Sequence, residues 1–140
     1  TASRIVKMPF NHCWEPTGIV TTYRGDLVLE EVLESHQRMA ADPRFDDLRF
    51  MIVDTLPVER VALIASDAVQ INAFLTGPAL TNPYTFVVFI ALHPAVLRFV
   101  AVYAQLPDRR YDLRVCSSMV SARQLLAHRD SRAIQGMRGA

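Results

Sequence analysis

The sequence predicts one α/β domain: a mixed, mostly parallel sheet of four or five strands, with an N-terminal hairpin and helices packed on the sheet's faces. Three observations predict this class: strand-like apolar runs at 48–56 and 84–92, helical patterns that alternate with the strands, and short links between them. Strands covered on both faces are nearly continuous apolar runs, and strand–helix–strand units give parallel neighbours. The 140 residues fit a single domain, 1–140, with a frayed polar tail over about 129–140.

The first half of the chain predicts a hairpin, a helix and a buried strand. Residues 4–8 and 17–22 are the expected hairpin strands, joined by an irregular link. The stretch 25–43 predicts a helix with Asp26 as its N-cap and apolar residues along one face. Asp42–Pro43 ends this helix, since a residue before proline resists helical angles. The strand 48–56 follows, with a polar residue near its carboxyl end.

The second half continues the alternation. Pro57–Leu63 is an expected connection, and Ser66 or Asp67 is the expected cap of a second helix with Phe74 on its core side. Gly77–Pro78 is the expected end of that helix. The remaining predicted elements are a strand at 84–92, a helix at 94–106 capped by His93, a strand at 111–116, and a last helix from Ser117 or Ser118.

Three quoted stretches carry a family resemblance. GDLVLEEVLESHQRMAADPRF leads into LRFMIVDTLPV, and RVCSSMVSARQLL closes the pattern after a helix that contains Arg98 and Tyr103. In this order they resemble the SpoIIAA-like family (STAS/SEC14-related domains) over about residues 4–128. The resemblance implies a non-enzymatic regulatory or interaction module. It also implies a lipid-sized apolar pocket and association with membranes as an alternative.

The resemblance also raises the question of a phosphorylated serine. Sigma-regulator relatives have one that opens the helix after the central strand. No DSSG-like sequence occurs here, and Thr55 follows Asp54. Ser66 is the candidate phosphorylation site at a helix N-terminus, where the dipole favours negative charge, but an ordinary N-cap explains the same serine.

Asp54 and Thr55 are the first candidate ligand- or partner-binding residues. They stand where a buried strand ends, and α/β folds place their binding sites at the carboxyl ends of strands. A carboxylate there can accept hydrogen bonds from a ligand. It can equally fix a loop or cap a neighbouring helix, so both interpretations stay open.

The predicted third helix, PAVLRFVAVYAQL, is apolar almost all the way round. Such a helix is buried, pairs with a partner, or contacts lipid or ligand. Under the interaction alternative, this helix forms a homodimer interface or an interface with a regulator protein. If the helix binds a ligand, Arg98 is an anchor for an anionic group, and Phe99 and Tyr103 flank an apolar cavity. Phe74 then belongs to a stretch that suits a movable lid over the pocket, and a plain loop explains the same stretch.

The sequence contains no motif that indicates a metal-binding or catalytic function. The four histidines and two cysteines lack metal-ligand spacing, and no glycine-rich phosphate loop or GxSxG elbow occurs. We therefore expect no metal, no cofactor and no enzyme activity. The net charge of +1 gives no reason to expect nucleic acid, although residues 107–140 carry seven arginines against three aspartates.

The expected partners are a second copy of the chain, a regulator protein, an apolar small molecule or an anionic lipid. The two cysteines are expected to be reduced packing residues. The expected location is therefore cytoplasmic, with a peripheral membrane position under the lipid alternative.

Overall fold

The computed structural model describes the backbone of residues 10–138 and the side chains of residues 10–130. The strands are β1 Phe10–Glu15, β2 Gly18–Tyr23, β3 Gly25–Leu27, β4 Phe50–Asp54, β5 Val58–Val61, β6 Phe86–Ile90 and β7 Asp112–Cys116. The helices are α1 Leu29–Ala41, α2 Ala65–Thr81, α3 Pro94–Ala104 and α4 Met119–Arg138, with a 3₁₀ turn at Pro43–Asp47.

Five strands form the main sheet in the order β1-β2-β4-β6-β7. Strands β2, β4, β6 and β7 are parallel, and only the β1–β2 hairpin is antiparallel. The predicted mixed sheet with a hairpin at one edge is therefore confirmed. The two central strands β4 and β6 lie within the predicted apolar runs, and seven of their ten residues are buried.

The sheet separates two apolar layers. The larger core packs between one face and helices α1, α2 and α3, and it includes Met51 and Val87 from the central strands. The smaller core packs between the other face and α4, and it includes Ile52 and Val88. Successive strand residues point to opposite faces, so consecutive apolar residues supply both cores.

A close approach between β2 and β4 requires a glycine. Gly18 lies opposite Phe50 in the parallel register. A Cβ built on Gly18 would lie 2.0 Å from Phe50 Cζ, inside the aromatic ring's own space. Gly18 therefore provides the space that the Phe50 ring occupies.

The opening of the chain differs from the expectation. The predicted strand 4–8 lies outside the described residues. Part of the predicted irregular link is instead strand β1, which pairs along its full length with β2. Asp26 does not cap α1: it belongs to β3, which pairs with β5 within the predicted connection 57–63, and α1 begins at Leu29.

The second helix also differs. It passes through Gly77–Pro78 and ends at Thr81. The next residue, Asn82, fixes this end of the helix. The buried amide of Asn82 donates to the carbonyl oxygens of Phe45 at 2.8 Å and Leu48 at 2.7 Å. These tertiary bonds decide where the helix ends. Helix α4 continues to Arg138, past the start of the predicted frayed tail.

Candidate functional site

An internal cavity lies between the sheet and helices α1–α3. Its volume is about 70 Å³, and its lining is almost entirely apolar. The polar side chains of the lining include His36 from α1, Thr55 after β4, Tyr103 from α3 and Tyr111 before β7. Among the described residues, no Asp, Glu, Lys or Arg lines the cavity. The cavity can hold an apolar group with one or two neutral polar contacts.

Burial keeps the polar groups of the cavity uncharged. It raises the pKa of Tyr103 and of Tyr111 to about 12, so both hydroxyls keep their protons at neutral pH. It lowers the pKa of His36 to about 4, with a smaller contribution from nearby His12. Part of His36 is exposed to solvent, but its Nδ1 atom is fully buried. These groups therefore act as hydrogen-bonding groups and not as charges.

Two polar atoms of the cavity lining, Tyr111 Oη and His36 Nδ1, have no hydrogen-bond partner among the described residues. Tyr111 is only 3% exposed. Buried polar atoms in native proteins are nearly always hydrogen-bonded, to protein or to ordered water. The cavity therefore presents unused hydrogen-bonding capacity on an otherwise apolar wall.

The pair Asp54 and Thr55 stands at the carboxyl end of β4, as predicted, and both residues are engaged within the protein. The Asp54 carboxylate accepts a hydrogen bond from the Leu56 N–H at 3.0 Å and fixes the turn. The hydroxyl of Thr55 donates to the carbonyl oxygen of Ile90 at 2.7 Å and is buried. The structural interpretation accounts for these contacts, although Thr55 also contributes to the cavity wall.

The third helix divides its apolar side chains between core and surface. Val96, Val100 and Tyr103 are buried in the larger core, whereas Leu97, Ala101 and Val102 are exposed. Arg98 is exposed and lines a shallow surface groove of about 270 Å³ between α3, β5 and the start of α2. The cavity and the groove share two lining residues, Leu63 and Phe99, which therefore form a wall between them.

Phe74 and Ser66 lie apart from the cavity. Phe74 is 37% exposed on α2 and does not line the cavity, so the prediction that it faces the core is wrong. Ser66 is exposed in the first turn of α2 and does not cap it. Instead, the carboxylate of Asp67 accepts a hydrogen bond from the Ile64 N–H at 2.9 Å.

Exposed aliphatic side chains at the carboxyl edge of the sheet form a feature that the sequence did not indicate. We name as the edge surface Leu56, Ile64 and Leu92, which are 44%, 67% and 61% exposed. The bond between the Thr55 N–H and the Ile90 carbonyl, 3.0 Å, places the loops that carry Leu56 and Leu92 side by side. Periodicity finds buried faces, so it could not identify loop residues that remain exposed.

The edge surface lies next to the groove. His93 Nε2 lies 3.0 Å from the Glu59 carbonyl oxygen and links the start of α3 to β5. Ala65, which follows Ile64, lines the groove together with Arg98. The edge surface therefore adjoins the groove at Ile64.

Two arginines of α4, Arg123 and Arg129, make contacts within the protein. Arg123 donates to the Glu15 carboxylate at 2.7 Å and lowers the pKa of Glu15. Arg129 stacks on the ring of Phe86, 4.2 Å from its centroid, and reaches Asp112 at 3.4 Å. These contacts cover the outer part of the smaller core, which favours the interpretation of this basic segment as a solvated structural face.

A second polar cluster joins β1 to α1. His12 Nε2 lies 2.9 Å from the Oγ atom of Ser35, which is buried, and burial lowers the pKa of His12. Burial raises the pKa of Tyr23 to about 12, and a hydrogen bond from Ser35 partly offsets this effect. Because Ser35 is enclosed, the cluster fixes the helix on the hairpin and offers no accessible nucleophile.

Comparison with solved structures supports the predicted fold. The chain is similar to the anti-sigma factor antagonist SpoIIAA in its unphosphorylated form, with a TM-score of 0.51 and 11% sequence identity. The match covers 94% of this chain and 97% of that chain. At this identity the likeness shows the fold alone, and the chain has the SpoIIAA-like fold. A scan against protein-family models and a search of curated proteins found no match.

Two further observations describe the part of the chain visible in the structure. None of its helices combines the length and the apolar character that crossing a bilayer requires. Within the same residues, no cluster of three His, Cys, Asp or Glu side chains could hold a metal ion.

Proposed function

We propose that this chain is a non-catalytic regulatory module that binds a partner protein through the edge surface. The observation that carries the proposal is the exposure of Leu56 and Leu92 in adjoining loops, with Ile64 exposed at the start of α2. Large aliphatic side chains grouped on a surface mark interaction sites more often than single exposed ones do. The SpoIIAA precedent, an antagonist of an anti-sigma factor, supports the idea that this fold acts by binding another protein.

The hydrogen bonds beneath the edge surface support this use. Thr55 and Asp54 fix the loop of Leu56, and His93 accepts a hydrogen bond from the Ala95 N–H and caps α3. A surface held in one conformation loses less conformational entropy on binding than a mobile one. The roles of Asp54 and Thr55 in partner binding are therefore to position the loops.

The test compares two leucine-to-glutamate variants. Leu92→Glu places a charge in the edge surface, while Leu80→Glu places the same charge at the other end of α2, where Leu80 is 80% exposed. The wild-type chain should capture a specific protein from extracts of its own source cells, and the purified protein should rebind. Leu92→Glu should abolish both results and Leu80→Glu should preserve both. Equal effects of the two variants would refute the proposal.

Self-association through α3 is a finer proposal, favoured by the exposed residues Leu97, Ala101 and Val102 on one side of that helix. Phe99 is partly buried and lines the cavity, so changing it would disturb the core as well as the surface. Leu97 is exposed, so Leu97→Glu tests the interface without disturbing the core. Native mass spectrometry should show a dimer of the wild type and a monomer of this variant, and a dimer in both would refute the role of α3.

Phosphorylation of Ser66 is a further proposal for regulation of the edge surface. Ser66 is exposed, two residues from Ile64, in the first turn of a helix, where the dipole stabilises an added negative charge. The negative charge of the neighbouring Asp67 carboxylate repels a phosphate and disfavours the modification. Phosphopeptide mapping of the chain from its own cells tests the site, and a fully unmodified Ser66 under all growth conditions would refute it.

Ligand binding is the second candidate function, favoured by the cavity and by the groove that carries Arg98. The volume of the cavity decides whether a small molecule or a lipid could fit inside it. Drug-sized ligands occupy sites of roughly 300–1,000 Å³, whereas the cavity measures about 70 Å³. Lipid binding therefore requires the helices to open, and it predicts salt-sensitive association with anionic vesicles that Arg98→Gln weakens.

A further inference from the structure

We infer that the cavity is a binding site for a small neutral organic molecule with one hydrogen-bonding oxygen, and that Tyr111 is its principal polar contact. The inference deepens the ligand-binding candidate above by naming the chemistry of the ligand. It does not depend on partner binding at the edge surface.

The first argument is the unused hydroxyl of Tyr111. The side chain is 3% exposed, it lines the cavity, and its Oη atom has no partner among the described residues. Leaving a buried hydroxyl without a hydrogen bond is costly, and folds rarely retain one without a reason. A ligand oxygen that accepts a hydrogen bond from Tyr111 would remove that cost.

The second argument concerns charge. The lining formed by the described residues contains no Lys, Arg, Asp or Glu, and His36 is neutral at physiological pH. Moving an ion into an apolar site without an opposite charge is strongly unfavourable. The unpartnered Nδ1 of His36 can serve a second neutral polar group, but it cannot neutralise an anion. The site therefore selects an uncharged ligand.

The third argument is size. One water molecule needs roughly 10–15 Å³ of cavity space. The volume of the cavity, about 70 Å³, therefore suits roughly five non-hydrogen atoms. Short-chain alcohols, ketones and amides have this size and carry the required oxygen. Ligands this small reach about micromolar affinity at best, so millimolar probe concentrations are appropriate.

The fourth argument is a route of entry. Leu63 and Phe99 line both the cavity and the surface groove. Rotation of these two side chains, without movement of a helix, would connect the cavity to solvent. Rotamer changes of this kind are common at binding sites whose backbone stays fixed.

The experiment uses methyl NMR of the full chain with three probes: 1-butanol, butanoate and xenon. We expect 1-butanol to shift the methyl signals of cavity residues such as Val87 and Val100, and butanoate to leave them unchanged. Xenon reports on apolar space alone. Shifts by xenon without shifts by 1-butanol would mean a purely apolar void and would overturn the inference, as would equal binding of butanoate and 1-butanol.

Two variants locate the binding site. Tyr111→Phe keeps the ring and removes one neutral hydrogen bond, so it should weaken 1-butanol about fivefold and leave xenon binding in place. Tyr84→Phe, at an exposed tyrosine, is the matched control and should change neither. If Tyr111→Phe does not fold, Val100→Leu, which fills the cavity, should abolish binding of both probes. Undiminished 1-butanol binding in the substituted chain overturns the inference.

This outcome is separable from the proposed function. Leu92→Glu alters the edge surface and leaves the cavity lining intact. It should therefore bind 1-butanol as the wild type does, whatever its effect on the partner protein. A loss of 1-butanol binding in Leu92→Glu would overturn the assignment to the cavity.

Discussion

Thr55 makes two hydrogen bonds to one atom, the carbonyl oxygen of Ile90: its backbone N–H at 3.0 Å and its hydroxyl at 2.7 Å. Ile90 ends strand β6 and Thr55 follows strand β4. This double contact joins the loops of the two central strands and sets the spacing of Leu56 and Leu92. The edge surface thus depends on a residue that is itself 3% exposed.

Replacing Thr55 with valine tests this relationship. Valine keeps the shape and removes the hydroxyl, while the Ile90 oxygen retains its bond from the backbone N–H. We expect Thr55→Val to lower the free energy of unfolding by about 1 kcal/mol, as for loss of one ordinary hydrogen bond. Chemical denaturation measures the change. Unchanged stability in Thr55→Val would contradict the role of this bond.

Replacing Tyr111 with phenylalanine tests whether the free protein carries an unpaired hydroxyl. We expect the free energy of unfolding to rise by about 1 kcal/mol, because phenylalanine leaves no buried donor unpaired. Thermal and urea denaturation in the absence of added ligand provide the measurement. Tyr84→Phe, at an exposed residue, should have no effect. A loss of stability in Tyr111→Phe would show that the hydroxyl is paired in the free protein.

The mostly buried side chain of His36 predicts a pH dependence of stability. Its pKa is about 4 in the folded protein and near 6.5 when unfolded, so the unfolded chain binds more protons between these values. Stability from this group is complete above pH 6.5 and is lost as the pH falls toward 4, by up to about 3 kcal/mol. Denaturation at several pH values should show this slope.

His12 has a pKa lowered in the same direction, so it contributes to the same slope. His36→Leu should therefore flatten the dependence without abolishing it. His128 is exposed, and His128→Gln should leave the slope as in the wild type. An unchanged slope in His36→Leu would contradict the burial of the His36 ring.

Two glycine-to-alanine changes should have opposite effects. Gly18→Ala forces a methyl group into the Phe50 ring and should destabilise the protein by about 1–3 kcal/mol. Gly77→Ala lies within α2 with no atom within 4 Å of the new Cβ, and should stabilise by up to about 1 kcal/mol. Urea denaturation measures both. Gly18→Ala combined with Phe50→Leu should recover part of the loss, and strict additivity would refute the contact.

The sequence predicts the central strands because strands buried on both faces consist almost entirely of apolar residues. The runs around β4 and β6 are apolar on both faces, and His93 accepts the expected hydrogen bond from the Ala95 N–H at the start of α3. The end of α2 was mispredicted, since Gly77–Pro78 is a local stop signal and the buried Asn82 is a tertiary anchor. Long-range contacts of this kind leave no local pattern.

The candidate site was predictable only in part, for a related reason. Phe99 and Tyr103 line the cavity, as the ligand alternative predicts, and Arg98 lies outside it in the groove. The sequence does not single out Tyr111 or His36 as site residues, because a buried atom without a partner is recognisable only in three dimensions. The prediction for Phe74 is wrong because α2 carries large apolar residues on its exposed face as well as on its core face.

Hydrogen exchange of the purified chain with and without its captured partner is the most direct test of the proposed edge surface. We expect the partner to slow exchange of backbone amides in residues 55–66 and 91–93, and to leave the far end of α2 near Leu80 unchanged. Protection confined to α3 or to the outer strands β1 and β7, with none at 55–66, would contradict the assignment of the edge surface as the site of partner binding.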